Sequence, residues 1–83
     1  MTYTDAKDSI IREIRMRLAM LYVYKKEVFL DSEKVERLRN EINGMLYCLR
    51  SISSSNEFWC INYFDDFSEF GYYDDNGQWV AVL

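Results

Sequence analysis

The most restrictive feature of this chain is a line of apolar residues, Val35, Leu38, Ile42, Met45, Leu49 and Ile52, that alternates steps of three and four. Such spacing places them on one face of an α-helix. A seam this regular needs a second helix to cover it, and the preceding segment supplies one. Ile11, Ile14, Leu18, Leu21 and Val28 recur in steps of three, four and seven. Thr4 or Asp5 can cap that helix, and acidic residues complement its positive end. The first helix is predicted from about Asp5 to Phe29. Lys25 interrupts the stripe, its methylene stem lying along apolar surface while the ammonium reaches water. Asp31 is suited to cap the second helix, with Leu30 and Val35 as a hydrophobic staple. So short a connection folds the helices back on each other as an antiparallel hairpin. Gly44 falls inside the second helix, at a cost of about 1 kcal/mol relative to alanine, and reads either as a point of close backbone approach or as a tolerated defect.

After the hairpin the composition changes. Ser51, Ser53, Ser54, Ser55 and Asn56 stop the helix, and three runs follow that favour strands: Phe58 to Phe64, Phe67 to Tyr73 and Trp79 to Leu83. Asp65 and Asp66 turn the first run into the second. Asn76-Gly77 between the last two is a strong hairpin signal, since both residues accept the positive φ of a type I′ turn. The expected fold is α+β in the order ααβββ: a helical hairpin over about 5–52, a polar linker over 53–57 and a three-stranded antiparallel meander over about 58–83. At 83 residues the chain can build one modest core, so residues 1–83 form a single domain.

Charge is distributed unevenly between the two parts. All ten Lys and Arg residues lie at or before Arg50, where ten bases against eight acids give +2. The last 33 residues carry Glu57, Asp65, Asp66, Glu69, Asp74 and Asp75 and no base, giving −6. They also hold nine of the fourteen aromatic residues. A sheet covered by helices on one face should be polar on the other, and this one is aromatic on both. With Asn76-Gly77 as a two-residue loop, Tyr73 faces Val80 and shares a side with Phe67, while Phe70, Tyr72, Trp79 and Leu83 share the opposite side. The helices can cover one set. The other is then an apolar patch with a carboxylate rim, either a docking surface for another protein or the seam of a homodimer, unless the sheet curls and buries both.

Several chemistries lack their usual residues. There is no histidine, the commonest general base and metal ligand. Cys48 and Cys60 stand twelve residues apart with no clustered Cys or His, so no zinc site is expected, and both are read as reduced, partly buried thiols. Neither the Asp65-Asp66 nor the Asp74-Asp75 pair suits an acid and base couple, because adjacent strand residues point to opposite faces. No calcium loop or Gly-rich phosphate loop is present. The sequence therefore predicts no catalytic residue, cofactor or metal. Met1 to Ser9 lacks the character of a secretory signal and no apolar run reaches bilayer length, so the expected location is cytoplasmic, away from membranes. Arg12, Arg15, Arg17, Lys25 and Lys26 do not make a nucleic-acid site, since Glu13 pairs with Arg17 at helical spacing and the net charge of −4 repels phosphate.

The stretch Gly71 to Gln78 resembles the hairpin of choline-binding cell-wall repeats, but it occurs once, and shared turn chemistry accounts for the likeness. In size and charge the whole chain resembles the small acidic proteins that phages and mobile elements use against host nucleases, including anti-CRISPR and anti-restriction proteins. That resemblance implies a non-enzymatic inhibitor acting as a nucleic-acid mimic. Its partner would be a basic host protein such as a nucleic-acid-binding effector or nuclease. The expected contact residues are Asp65, Asp66, Glu69, Asp74 and Asp75 for charge, with Tyr72, Tyr73 and Trp79 as anchors. The alternative is a self-assembling structural or regulatory adaptor that dimerises through the heptad seam or the spare sheet face.

Overall fold

Both helical periodicities are realised in the computed structural model, which describes residues 3–25, 32–53, 56–63 and 68–82. Helix α1 spans Tyr3–Lys25 and helix α2 spans Ser32–Ile52; strands β1, β2 and β3 span Phe58–Tyr63, Ser68–Tyr73 and Trp79–Ala81. The ααβββ order is as the sequence predicts. The expected continuation of the first helix to Phe29, the Asp31 cap and the Leu30 half of the staple lie outside the described residues. Among the described residues no helix is long and apolar enough to cross a membrane.

The core is the seam between the helices, closed from below by the sheet. Ile14, Leu18 and Leu21 of α1 meet Leu38, Ile42, Leu46 and Leu49 of α2, and Trp59 and Phe70 join them from β1 and β2. Leu46, which was not among the predicted seam residues, is buried, while Val35 and Met45 are only partly covered. A straight helix of 3.6 residues per turn drifts against a strict seven-residue repeat, so the buried line moves across the predicted one. Gly44 is exposed, and a Cβ added there would meet nothing within 4 Å; it is a tolerated defect and not a point of close approach. At the C-terminal end of α2, the Ser53 backbone N–H donates to the Leu49 carbonyl at 3.0 Å and the Ser53 hydroxyl donates to the same oxygen. This doubled bond satisfies a carbonyl that the ending helix would leave unpaired.

Strand β1 then runs back along α2. Arg50 meets β1 at Trp59, and Arg39 lies 5.9 Å from the Tyr63 ring at the strand's other end. Near the start of α1, the Lys7 ammonium pairs with Glu57 and stands 5.4 Å from the Trp59 ring. The sheet order is β1-β2-β3, with both neighbours antiparallel. Cα extents of 41 × 29 × 15 Å describe a thin slab. Fifteen ångströms holds one helical layer on one sheet and no third layer.

The turn between β2 and β3 corrects the sequence reading. A type I′ turn on Asn76-Gly77 needs positive φ at both residues, yet Gly77 alone has it, at 76°, among the described residues. The Gly77 N–H donates to the Asp74 carbonyl at 2.9 Å, and the Asp74 N–H donates to the Gln78 carbonyl at 3.0 Å. The loop is therefore three residues long, Asp75-Asn76-Gly77, with glycine as the bulge residue. The Asp74 carboxylate selects this form by accepting from the backbone N–H groups of both Asn76 and Gln78 at 2.9 Å. The extra loop residue shifts the β2–β3 register by one. Trp79 stands opposite Tyr73, and Val80 opposite Tyr72. A one-residue shift turns every side chain of a strand over, so Trp79 belongs with Tyr73 and not, as expected, with Phe70 and Tyr72.

Candidate binding face of the sheet

With the register known, alternation sorts the sheet into two faces. Trp59, Ile61, Tyr63, Ser68, Phe70, Tyr72, Val80 and Val82 lie on the side of the helices; Phe58, Cys60, Asn62, Glu69, Gly71, Tyr73, Trp79 and Ala81 point away. The helix-facing side is closed by tilted ring pairs, with the Trp59 centroid 5.4 Å from Phe70 and 4.8 Å from Tyr72. The indole N–H of Trp59 donates to the Glu57 carboxylate at 3.1 Å. Glu57 also takes the Lys7 ammonium, and Lys7 first and Trp59 after it hold its carboxyl below the ordinary glutamate value.

Among the described residues the outward face consists of three cross-strand rows. Nearest the turn is an aromatic row, Phe58, Tyr73 and Trp79, in which Phe58 is 57% and Tyr73 38% exposed. The next row, Cys60, Gly71 and Ala81, is built of small residues, and the third holds Asn62 and Glu69. Trp79 stacks obliquely on Tyr73 with centroids 5.1 Å apart, and its indole N–H donates to Glu69 Oε1 at 2.9 Å. That bond spans the Gly71 position. Gly71 is required there for a further reason: an added Cβ would stand 2.1 Å from the Val80 carbonyl oxygen, inside the backbone of β3. Cys60 lies half-buried in the same row, and burial pushes its thiol above the ordinary value.

The predicted contact residues divide accordingly. Glu69, Tyr73 and Trp79 come together on the outward face, with Asp74 and Asp75 at its turn end. Tyr72 is on the other side, packed against Trp59. Asp65 and Asp66 lie outside the described residues. Asp74 is occupied in holding the turn, Glu69 in holding Trp79, and Asp75 is exposed. Sequence reasoning did not single out Phe58 or Arg50. The Arg50 guanidinium lies 4.5 Å from the Phe58 ring centroid while its Nε donates to the Trp59 carbonyl, so a base from α2 reaches round the edge of β1. Phe58 was readable in principle as the partner of Tyr73 in the first hairpin.

A second apolar surface was not anticipated either. Met16, Ala19, Met20 and Val23 form a stripe on the outer side of α1, with Met16 51% and Val23 56% exposed, and a shallow hollow runs along them to Tyr24. Their spacing of three, one and three was visible in the sequence, but the core stripe of the same helix masked it.

No protein-family model, curated protein or solved structure matches this chain.

Proposed function

We propose that this protein is a non-enzymatic binding protein, acting in the cytoplasm, that docks the outward face of its sheet on a basic surface of a host protein. In its most concrete form it is an inhibitor of the kind encoded by phages and mobile elements, anti-CRISPR or anti-restriction in type, that occupies a groove meant for nucleic acid. The supporting observation is the outward aromatic row Phe58, Tyr73 and Trp79, of which Phe58 and Tyr73 are exposed, with the Glu69 carboxylate on the Trp79 indole and exposed Asp75 in the adjoining turn. Exposed rings on a rigid sheet supply anchors, and a field of one sign accelerates encounter with the opposite sign. The absence of histidine from the whole chain supports a role without catalysis.

The test is retention of a host protein at low and high salt by the wild type and by a variant carrying Tyr73→Ala, Trp79→Ala and Asp75→Asn, followed by competition with nucleic acid. The proposal expects a salt-sensitive partner that the variant does not retain and that releases this protein when nucleic acid is added. A partner that holds both at once contradicts mimicry.

The outer stripe of α1 favours a second reading, a homodimer. The predicted heptad seam is used within the molecule, where Leu38, Ile42 and Leu49 are buried. Met16, Ala19, Met20 and Val23 are symmetric in spacing about their midpoint, so two antiparallel copies of α1 would set Met16 against Val23 of the partner. Sedimentation of the wild type beside Met16→Gln with Met20→Gln separates the readings: a dimer lost in the variant supports this one, and a monomer in both removes it.

A further inference from the structure

The two edges of the sheet are not equivalent. The Asp74 N–H to Gln78 and Val82 N–H to Phe70 bonds turn the backbone groups of Gln78 and Val82 toward β2. In an antiparallel ladder the direction alternates, so Val80 also faces β2 while the N–H and C=O of Trp79 and Ala81 face outward. Among the described residues nothing is bonded to those outward groups. On the opposite edge the Trp59 carbonyl is taken by Arg50, whose guanidinium covers Phe58. Proteins commonly protect an edge strand with lysine, proline or an inward charge. Strand β3, Trp-Val-Ala, has none of these, and among the described residues what limits its edge is its length of three residues and the Gly77 bulge before it.

We propose that β3 accepts a fourth, antiparallel strand from the partner, an extended segment in which basic side chains alternate with apolar ones. This rests on the functional reading above and assigns the partner its backbone shape. Residues of the added strand opposite Trp79 and Ala81 project onto the outward face, beside the Trp79 ring and the carboxylates of Glu69 and Asp75. An arginine there stacks on the indole and completes the charge. The residue opposite Val80 projects to the helix-facing side, where half-buried Val80 and Val82 offer an apolar neighbour. Backbone bonds to Trp79 and Ala81 give affinity, and alternation gives specificity. Charge selects against the other obvious occupant, a second copy of β3. Joining two such edges would bring together two segments of 33 residues that each carry −6.

The probe is the blocked peptide Arg-Val-Arg-Val-Arg, added at about millimolar concentration to the isotope-labelled full chain and followed by NMR and amide exchange. Two control peptides replace Arg by Glu or carry N-methyl groups on the amides that would face β3. The expected result is saturable shifts along Trp79 to Val82 and slowed exchange of the Trp79 and Ala81 amides, with no effect from either control. Asp75→Asn should weaken binding by a factor of about two to five. If the N-methylated peptide binds as well as the parent and shifts only Phe58, Tyr73 and the Trp79 indole, strand addition is wrong and the docking face stands. If no basic peptide shifts the sheet, both are wrong. Shifts on Met16 to Val23, or slowed exchange at Ala81 that grows with protein concentration and without peptide, also overturn the proposal.

Discussion

The two faces of this sheet have nearly the same aromatic content and opposite fates. On the helix-facing side Trp59 is 2% exposed and Phe70 fully buried, while on the outward side Phe58 and Tyr73 keep much of their surface in water. Composition does not separate them; register does. The Asp74 carboxylate lengthens the turn by one residue, and that residue places Trp79 outward with Tyr73. Trp59 and Phe70 on the first face hold the molecule together, with Tyr63 at that face's far end 44% exposed, and Phe58 and Tyr73 on the second meet water.

Truncating one ring on each side separates the two faces most clearly. Phe70→Ala should cost about 3–5 kcal/mol in chemical denaturation, the range for removing a buried aromatic, whereas Tyr73→Ala should cost under about 1 kcal/mol. Equal losses would mean that the faces are not energetically distinct. Gly71→Ala comes next. Its methyl has to displace the Val80 carbonyl, so a loss of about 1–3 kcal/mol is expected, with perturbation of the Trp79 fluorescence. Asp74→Ala removes an acceptor from two backbone N–H groups and should cost about 1–2 kcal/mol, with amide exchange in β3 accelerated more than in β1. An unchanged β3 would show that the turn, and with it the face assignment, does not depend on the carboxylate.

The smallest expected effect lies at Glu57. Its pair with Lys7 is partly exposed, so Glu57→Gln should cost at most about 1 kcal/mol at neutral pH. Because the folded state holds this carboxyl below the ordinary glutamate value of 4.5, its contribution is present above that pH and is lost as pH falls through the folded value. Stability curves of the wild type and Glu57→Gln should therefore converge in acid. Divergence there would place the acid sensitivity elsewhere.

The helices, their antiparallel pairing and the three strands were legible because each follows from a local period or a turn residue. Leu46 was not legible because burial follows Leu38, Ile42, Leu46 and Leu49, a spacing of about 3.6, and not the strict alternation of three and four in the sequence. The β3 register was missed because Asn-Gly outweighed Asp74, whose side chain decides between two turns that share the same glycine. For the candidate site, the enrichment in acid and aromatic residues was visible, but not which acids were already engaged. Glu69 and Asp74 are bonded within the fold, to the Trp79 indole and to the turn backbone, and neither bond follows from a local pattern. The outer stripe of α1 was hidden by a core stripe on the same helix.

The chain carries one tryptophan on each face of the sheet, Trp59 buried on the side of the helices and Trp79 on the outward side beside the Glu69 carboxylate. Fluorescence quenching of Trp79 alone, in Trp59→Phe, and of Trp59 alone, in Trp79→Phe, tests this directly. Each quencher being referred to its effect on N-acetyltryptophanamide, Trp79 should be quenched by acrylamide and keep a larger share of the caesium effect than of the iodide effect, the carboxylates drawing in the cation and repelling the anion, while Trp59 should resist all three. Equal quenching of the two indoles, or a larger share kept for iodide than for caesium at Trp79, would contradict this arrangement.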